Sequence, residues 1–116
     1  MVSAQEFMMI FRYDPQADQQ PSQDVLAAQP QRWSSFIGNL AIQEKLVSTH
    51  QLGYEGKQLS ATLTVAEGVR FAEKETISGN MVVKANSMDE VLNMAKECPI
   101  LDLGGRVEIR SIIPMS

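Results

Sequence analysis

The 116-residue sequence predicts an α+β fold of the ferredoxin-like, split βαβ type, formed by one domain that spans residues 1–116. Two observations predict it. Segments typical of strands and helices follow one another in the order β-α-β-(β)-β-α-β, which divides into two β-α-β halves. The composition, with 44% hydrophobic and 21% charged residues, is that of an ordinary globular domain. We expect an antiparallel sheet with two helices on one face, and flexible residues 1–5.

The first predicted strand covers residues 6–13, EFMMIFRY, and stops at Asp14-Pro15. Alternate side chains would face opposite sides of the sheet, with Phe7, Met9 and Phe11 on one side and Met8, Ile10 and Arg12 on the other. Both sides are largely apolar, and two helices cover only one face. Because a large exposed apolar face is uncommon in a monomer, this pattern predicts a homodimer that buries sheet against sheet.

The first predicted helix covers residues 32–46, where Trp33, Phe36, Ile37, Leu40 and Ala41 recur at helical spacing. The preceding residues 14–31 are rich in Gln, Asp and Pro, which predicts a solvated loop or a frayed helix start. The middle of the chain has strand character at 46–52 and again at 58–65, separated by a glycine-containing turn. These two segments would form a hairpin or a long excursion at the sheet edge.

The second half of the chain begins with a strand at residues 79–85 and continues into a well-signalled helix. Ser87 and Glu90 have the spacing of a capping box, and Pro99 would end this helix. Its buried stripe is predicted to be Met88, Val91, Leu92 and Ala95. A last strand follows the glycines at 104–105, with Val107, Ile109 and Ile113 on one side and Arg106, Glu108, Arg110 and Ile112 on the other.

The net charge of −4 and the pI near 4.9 argue against nucleic-acid and anionic-membrane partners, because no run of Lys or Arg is present. The N-terminal MVSAQEFMMIF lacks the basic region of a signal peptide, and a single cysteine, Cys98, is typical of a reducing compartment. These features predict a cytoplasmic protein. One Cys and one His exclude a Cys/His zinc cluster within the chain, and DLGGR lacks the spacing of a phosphate-binding loop. No metal site and no cofactor are predicted.

Several short motifs in the second half occur together in a known family. They are Phe71-Ala72-Glu73, Gly79, Ser87-Met88-Asp89-Glu90, Cys98-Pro99 and Gly104-Gly105-Arg106-Val107-Glu108-Ile109-Arg110. Over about residues 68–115 the chain resembles the YCII-related proteins, in particular their DGPF-domain branch. The first strand and helix match only in pattern. Gly68-Val69-Arg70 stands where the branch has Asp-Gly-Pro, and PQRWSSF lacks the His that the wider group has near its first helix.

The resemblance implies a dimeric α+β barrel, which agrees with the homodimer predicted from the two-faced sheet. It implies architecture more than chemistry, because the general biochemical function of the family is not settled. Within the matching motif, Glu73 is the retained charged residue and is therefore a candidate catalytic residue. The alternative for Glu73 is a solvated loop position with weak ion pairs.

His50 is the other catalytic candidate, because it is the one side chain with an ordinary pKa near neutrality. It would act as a general base if a carboxylate oriented it, and otherwise it would be a surface or hydrogen-bonded structural histidine. Cys98 would lie at a helix C-terminus, where the helix dipole raises the pKa of a thiol. We therefore expect Cys98 to be a buried packing residue and a poor nucleophile.

Arg12, Arg70 and Phe71 are the candidates for ligand binding. Arg12 would bind an anionic group or form a structural pair with Glu108. Arg70 would line a cleft mouth or stay solvated, and Phe71 would point inward between Arg70 and Glu73.

These observations predict a homodimer with a cleft between sheet and helices that binds a small polar ligand. Whether the protein is an enzyme stays open, because no complete catalytic set is present. The alternative is an accessory protein-interaction domain, or a structural dimer domain, without catalytic activity.

Overall fold

A computed structural model of the chain describes residues 4–17 and 20–115. Its elements are β1 Gln5–Tyr13, α1 Gln23–Ile42, β2 Leu46–Gln51, β3 Lys57–Leu59, β4 Val65–Glu67, β5 Thr76–Ala85, α2 Met88–Ala95, a 3₁₀ helix at Pro99–Leu103, and β6 Arg106–Ser111. The flexible segment predicted for residues 1–5 lies mostly outside the described residues, and Gln5 already belongs to β1.

The main sheet is antiparallel and has the strand order β2-β5-β1-β6. The units β1-α1-β2 and β5-α2-β6 interleave, so that the two strands of each unit are separated by one strand of the other. This is the split βαβ arrangement, and the predicted ferredoxin-like fold is confirmed. The hairpin β3-β4 forms a separate two-stranded sheet, and in the sequence it lies between β2 and β5.

One face of the sheet carries the hydrophobic core. Alternate side chains of the two central strands are buried there: Phe7, Met9 and Phe11 of β1, and Met81, Val83 and Ala85 of β5. They pack against Phe36 and Leu40 of α1 and against Val91 and Ala95 of α2. The two helices therefore lie on the same face, as the sequence predicts.

The opposite face of the sheet, called the open face here, has no helix against it in the described residues. Its central side chains are half-buried and mostly apolar on β1, where Met8 lies opposite Val82 and Ile10 lies opposite Asn80. Arg12 follows at one end of this strand and Glu108 lies beside Ile10 on β6. The second apolar face that the sequence predicts for β1 is therefore present.

Helix α1 begins at Gln23, nine residues before the predicted start, so that of the two alternatives given for residues 14–31 the second half follows the helix start rather than the loop. Ser22 caps the helix because its Oγ accepts a hydrogen bond from the Val25 amide at 3.3 Å. Pro30 lies inside the helix, where it lacks an amide donor, and this residue made the segment look like a loop. Of the predicted stripe, Ala41 is exposed while the four larger side chains pack inward.

The strand predicted at residues 58–65 is also wrong, because a tight turn divides it into β3 and β4. The Ser60 amide donates to the Thr64 carbonyl at 2.9 Å, and the Thr64 amide donates to Ser60 Oγ at 3.1 Å. The alternation of Leu59, Ala61, Leu63 and Val65 has no sheet or core to face. Those side chains are exposed, and local turn hydrogen bonds decide the backbone path.

The capping box of α2 is confirmed. The Glu90 amide donates to Ser87 Oγ at 3.2 Å, and Glu90 Oε2 accepts from the Asn86 amide at 3.0 Å. The predicted buried stripe is half right, because Val91 and Ala95 are buried whereas Met88 and Leu92 are more than 40% exposed. On β6, Val107 and Ile109 pack against the core as predicted, but Ile113 lies beyond the strand and is exposed.

Candidate functional site

A cleft of about 660 Å³ opens between the N-terminal half of α1 and the sheet. The N-terminal half of α1 lies over the β2 and β5 side of the sheet, while the C-terminal half packs onto the core through Phe36 and Leu40. The side chains that line the cleft are mostly apolar or aromatic: Phe11, Tyr13, Leu26, Pro30, Trp33, Ile37, Leu52, Tyr54, Ile100 and Leu103. The polar lining residues are Gln29, Thr49, His50, Gln51 and Ser78.

Trp33 forms one wall of the cleft and is held in a fixed orientation. Its Nε1 donates to Gln29 Oε1 at 3.0 Å, and Gln29 Nε2 donates to the Pro99 carbonyl at 3.3 Å. Edge-to-face contacts place the indole 5.4 Å from the Phe11 ring and 6.0 Å from the Phe36 ring. The wall is therefore preorganised by one turn of α1 and by the 3₁₀ helix that follows α2.

Gly79 of β5 keeps the sheet side of the cleft open. A Cβ atom at this position would lie 2.6 Å from the His50 carbonyl oxygen and 3.4 Å from Phe11 Cδ2. Beside it, a bulge in β5 lies between the pairs Phe11–Gly79 and Arg12–Ile77. The extra residue, Ser78, donates from its Oγ to the Phe11 carbonyl at 3.4 Å. The close approach of β2 to β5 at this point therefore requires glycine.

Two tyrosines that do not belong to a helix also line the cleft. Tyr13 is the last residue of β1, and Tyr54 lies in the turn after β2. Burial of the phenol raises the pKa of Tyr54, and the neighbouring Tyr13 raises it further. Neither hydroxyl has a hydrogen-bond partner among residues 4–17 and 20–115. Both hydroxyls are therefore available as hydrogen-bond donors at the cleft.

His50 reaches the same cleft through its backbone, whereas its imidazole lies on the open face beside Asn80 and has no carboxylate as a neighbour. Its Nδ1 lies 3.2 Å from Asn80 Oδ1, and its side chain is exposed. Thr49, the preceding residue, donates from Oγ1 to the Asn80 carbonyl at 3.0 Å. An amide thus takes the position in which the sequence hypothesis needs a carboxylate.

Arg12 and Arg70 lie together in a second, smaller hollow of about 410 Å³, which also contains Glu55 and Glu75. Arg12 forms the structural pair that was the alternative for it, since its Nη2 lies 2.9 Å from Glu108 Oε1. This contact, followed by the charge of Arg12, lowers the pKa of Glu108 below its ordinary value. The hollow holds both signs of charge, so its two arginines do not form a purely cationic anion site.

Glu73 and Phe71 line neither cavity. Glu73 is exposed in a two-residue turn and its carboxylate lies 3.7 Å from Arg106 Nη2, while Glu75 accepts from Arg106 Nε at 2.9 Å. Phe71 is 44% exposed and does not belong to the core cluster, so of the two interpretations of this segment the structure has the solvated loop rather than an inward Phe71. The five candidate residues from the sequence are therefore distributed over two hollows and one exposed turn rather than gathered in one site.

Sequence reasoning missed most of the residues that build the larger cleft. Leu26, Gln29 and Pro30 were assigned to a loop or a frayed helix start, and Tyr54 was treated only as part of a glycine turn. Two signals were available: Ser22 followed by an apolar residue at Leu26, and an isolated aromatic residue in the turn GYEG. Trp33 was correctly placed on a helix, but its partial exposure to a cleft depends on where that helix lies on the sheet.

The described residues contain no group of three or more His, Cys, Asp or Glu arranged to hold a metal ion. Within the same residues, no helix is both long and apolar enough to cross a membrane.

No curated protein matches this chain. A family model, the YCII-related domain, matches residues 6–116, which include every strand and helix of the fold apart from the first residue of β1. The match therefore extends the similarity seen in the second half of the chain to the first strand and the first helix. On this evidence the chain belongs to the YCII-related family.

Proposed function

We propose that this protein is a small-molecule-binding member of the YCII-related family that holds its ligand in the cleft between α1 and the sheet. The observation that carries the proposal is the preorganised wall of this cleft. Trp33 is oriented by a hydrogen bond and by two aromatic contacts although its ring borders open space. Concave, mainly apolar cavities of this volume with few polar groups are the usual sites for small ligands.

A thermal-shift screen over a panel of small metabolites tests the proposal. A ligand that binds only the folded state should add about 2.7 kcal/mol of stability at one hundred times its Kd. Leu26→Trp places a large ring in the cleft and should abolish the ligand-dependent shift. Leu92→Trp is the matched control, because Leu92 lies on α2 outside the cleft and both leucines are 47% exposed. A panel without any hit, or equal shifts in both variants, would contradict ligand binding in this cleft.

We also propose that the protein is a homodimer in which two open faces pack against each other. The apolar side chains of Met8, Ile10 and Val82 support this proposal, because they form a contiguous patch at the centre of a sheet that has only one layer of helices. The charged residues at the rim, Arg12 and Glu108, are already paired within one chain, so packing does not leave them uncompensated.

Sedimentation equilibrium at micromolar concentration tests the dimer. Ile10→Gln puts an amide at the centre of the open face and should shift the protein to monomers, whereas Ile42→Gln should leave the dimer intact. Ile42 is a suitable control because it is 82% exposed at the end of α1, on the helical side. A wild-type protein that sediments as a monomer would rule out the dimer.

The β3-β4 hairpin favours a second candidate, an accessory protein-interaction domain without catalytic activity. Leu59, Leu63 and Val65 are 57–76% exposed on this hairpin, and its strands contact no other element of the described chain. An exposed apolar hairpin is suited to contact with another protein. This candidate would be favoured if the ligand screen gave no hits and a protein partner of the wild-type chain bound the Leu92→Ser variant but not the Leu63→Ser variant.

Two finer assignments accompany the proposal. Phe71-Ala72-Glu73 and the Gly104–Arg110 motif support the DGPF-domain branch within the family. The single cysteine is buried and has a free thiol, which supports a reducing compartment and hence a cytoplasmic location.

A further inference from the structure

The cleft that we assign to a ligand contains no Asp, Glu, Lys or Arg among its described lining residues. His50 adds no cation to it, because its imidazole lies beside Asn80, which shares the open face with Ile10. A charged group that entered the cleft would lose hydration without meeting an opposite charge, which is strongly unfavourable. The electrostatic character of the cleft therefore selects uncharged ligands.

The shape of the lining selects flat ligands. Phe11, Trp33, Tyr13 and Tyr54 present four rings to one space. Rings gain from offset and edge-to-face contacts with another aromatic ring beyond the area they bury. The orientation of Trp33 is set before a ligand arrives, so stacking on the indole does not require ordering that side chain first.

The polar capacity that remains in the cleft lies in the side-chain amide of Gln51 and in the hydroxyls of two tyrosines. Gln29 uses both ends of its amide on Trp33 and Pro99, and Thr49 Oγ1 is used on Asn80. Tyr13 and Tyr54 line the same space, and in the described part of the chain neither hydroxyl is engaged. Two phenol donors that line one cleft are matched by a ligand oxygen that accepts hydrogen bonds.

We propose that the cleft binds an uncharged, planar aromatic compound with a hydrogen-bond acceptor such as a ketone carbonyl, held by the hydroxyls of Tyr13 and Tyr54. This inference rests on the proposed function and specifies the class of ligand. The cleft discriminates against aromatic anions, against saturated compounds of equal size, and against aromatic hydrocarbons without an acceptor.

Four probes of similar size test each part of this specification. They are 2-acetylnaphthalene, its hydrocarbon analogue 2-ethylnaphthalene, its anionic analogue 2-naphthoate, and its saturated analogue 2-acetyldecalin. Trp33 is the one tryptophan of the chain, so its indole N–H gives a single, assigned signal in ¹H-¹⁵N NMR spectra. Titration at pH 7 should move this signal at the lowest concentration with 2-acetylnaphthalene. The ethyl analogue should bind about fivefold more weakly, and the anion at least about tenfold more weakly.

Tyr54→Phe and Tyr13→Phe remove each hydroxyl and keep each ring. In these variants the affinity for 2-acetylnaphthalene should fall by about fivefold, toward that of 2-ethylnaphthalene, whose own affinity should not change. The selective loss separates a hydrogen bond to the ligand from a general change of the cleft. Phe71→Leu, at an aromatic residue outside the cleft, should leave all four affinities unchanged.

The inference is overturned if 2-ethylnaphthalene or 2-acetyldecalin binds as tightly as 2-acetylnaphthalene, or if 2-naphthoate binds most tightly of the four. It is overturned as well if the Tyr→Phe variants weaken the binding of 2-acetylnaphthalene and 2-ethylnaphthalene alike. It is also overturned if none of the four probes moves the Trp33 signal. Cleft binding as such is judged separately by the metabolite screen and the Leu26→Trp variant. A positive screen with failed probes would therefore remove the ligand class and retain the binding site.

Discussion

At the scale of single residues, the structure confirms the burial expected for Cys98, and it gives Arg12 and His50 the structural contacts that were the alternatives to their functional roles. Cys98 is buried in the core, and Arg12 is paired with Glu108. Both outcomes follow from residue type: a lone thiol packs as a small apolar group, and a strand arginine next to an apolar interior needs a carboxylate. The neighbour of His50 was not predictable, because Asn80 is thirty residues away and reaches it only through strand register.

Cys98 makes stability depend on alkaline pH. Burial raises the pKa of its thiol from 9.0 to about 11. The unfolded chain therefore ionises first, and the contribution of Cys98 to stability is full below pH 9 and is lost as the pH rises to about 11. A shift of about two pKa units corresponds to about 3 kcal/mol.

Urea unfolding between pH 8 and 11 measures this effect. The wild-type protein should lose stability more steeply than Cys98→Ala over that range, although the variant starts from a lower stability because it leaves a small cavity. Parallel pH profiles for the two proteins would show that the thiol is not shielded in the folded state.

The turn Glu73–Lys74 carries strain that a substitution should relieve. Both residues have positive φ, 53° and 70°, in a two-residue turn closed by reciprocal hydrogen bonds between Ala72 and Glu75. Glycine adopts this region without steric cost. Lys74→Gly should raise the free energy of unfolding by about 0.5–1 kcal/mol, as measured by chemical denaturation. Lys74→Ala is the control and should give no gain, since alanine keeps the Cβ that causes the strain.

At the scale of elements, caps and local turns set the boundaries of helices and strands that the hydrophobic pattern left undetermined. The pattern located α2 well because Ser87 and Glu90 form a cap with a recognisable spacing. It located the start of α1 poorly, because Pro30 and a run of polar residues disguise the first two turns. Those turns pack over the cleft rather than the core, so they need few apolar residues.

Removing the α2 cap should be costly. In Ser87→Ala the Glu90 amide loses its side-chain acceptor, and the free energy of unfolding should fall by about 1 kcal/mol. Ser87→Thr keeps the hydroxyl and should lose much less. Thermal or urea unfolding of the two variants measures the difference. Equal losses would indicate that packing, rather than the cap, stabilises this end of the helix.

At the scale of the whole molecule, the described chain forms a thin body of 47 × 43 × 19 Å with one main sheet, one layer of helices and the small β3-β4 sheet. The β3-β4 hairpin extends from it and is connected at its base by a hydrogen bond from the Gly68 amide to the Gly56 carbonyl, 2.8 Å long. Among the helices and strands of the described chain, the two hairpin strands contact only each other. Folding of the core therefore does not depend on them.

Replacing residues 57–67 by a short glycine turn tests this independence. The shortened chain should unfold cooperatively, with a stability within about 1 kcal/mol of the full chain when both are compared as monomers, for example in the Ile10→Gln background. Circular dichroism with urea unfolding provides the measurement. A chain that no longer folds would show that the hairpin contributes to the core.

The sequence by itself determined the fold, because strand alternation, helical spacing and a capping box are local patterns that dictate which face of each element is buried. It also determined that β1 has two apolar faces. Only the tertiary structure decided where the candidate site lies and which residues line it. The cleft exists because α1 lies over Gly79 and the bulge beside it, which brings Tyr13, Trp33 and Tyr54 to one space from three separate elements. Such a convergence depends on long-range register and helix placement, and neither quantity is encoded in the spacing of neighbouring residues.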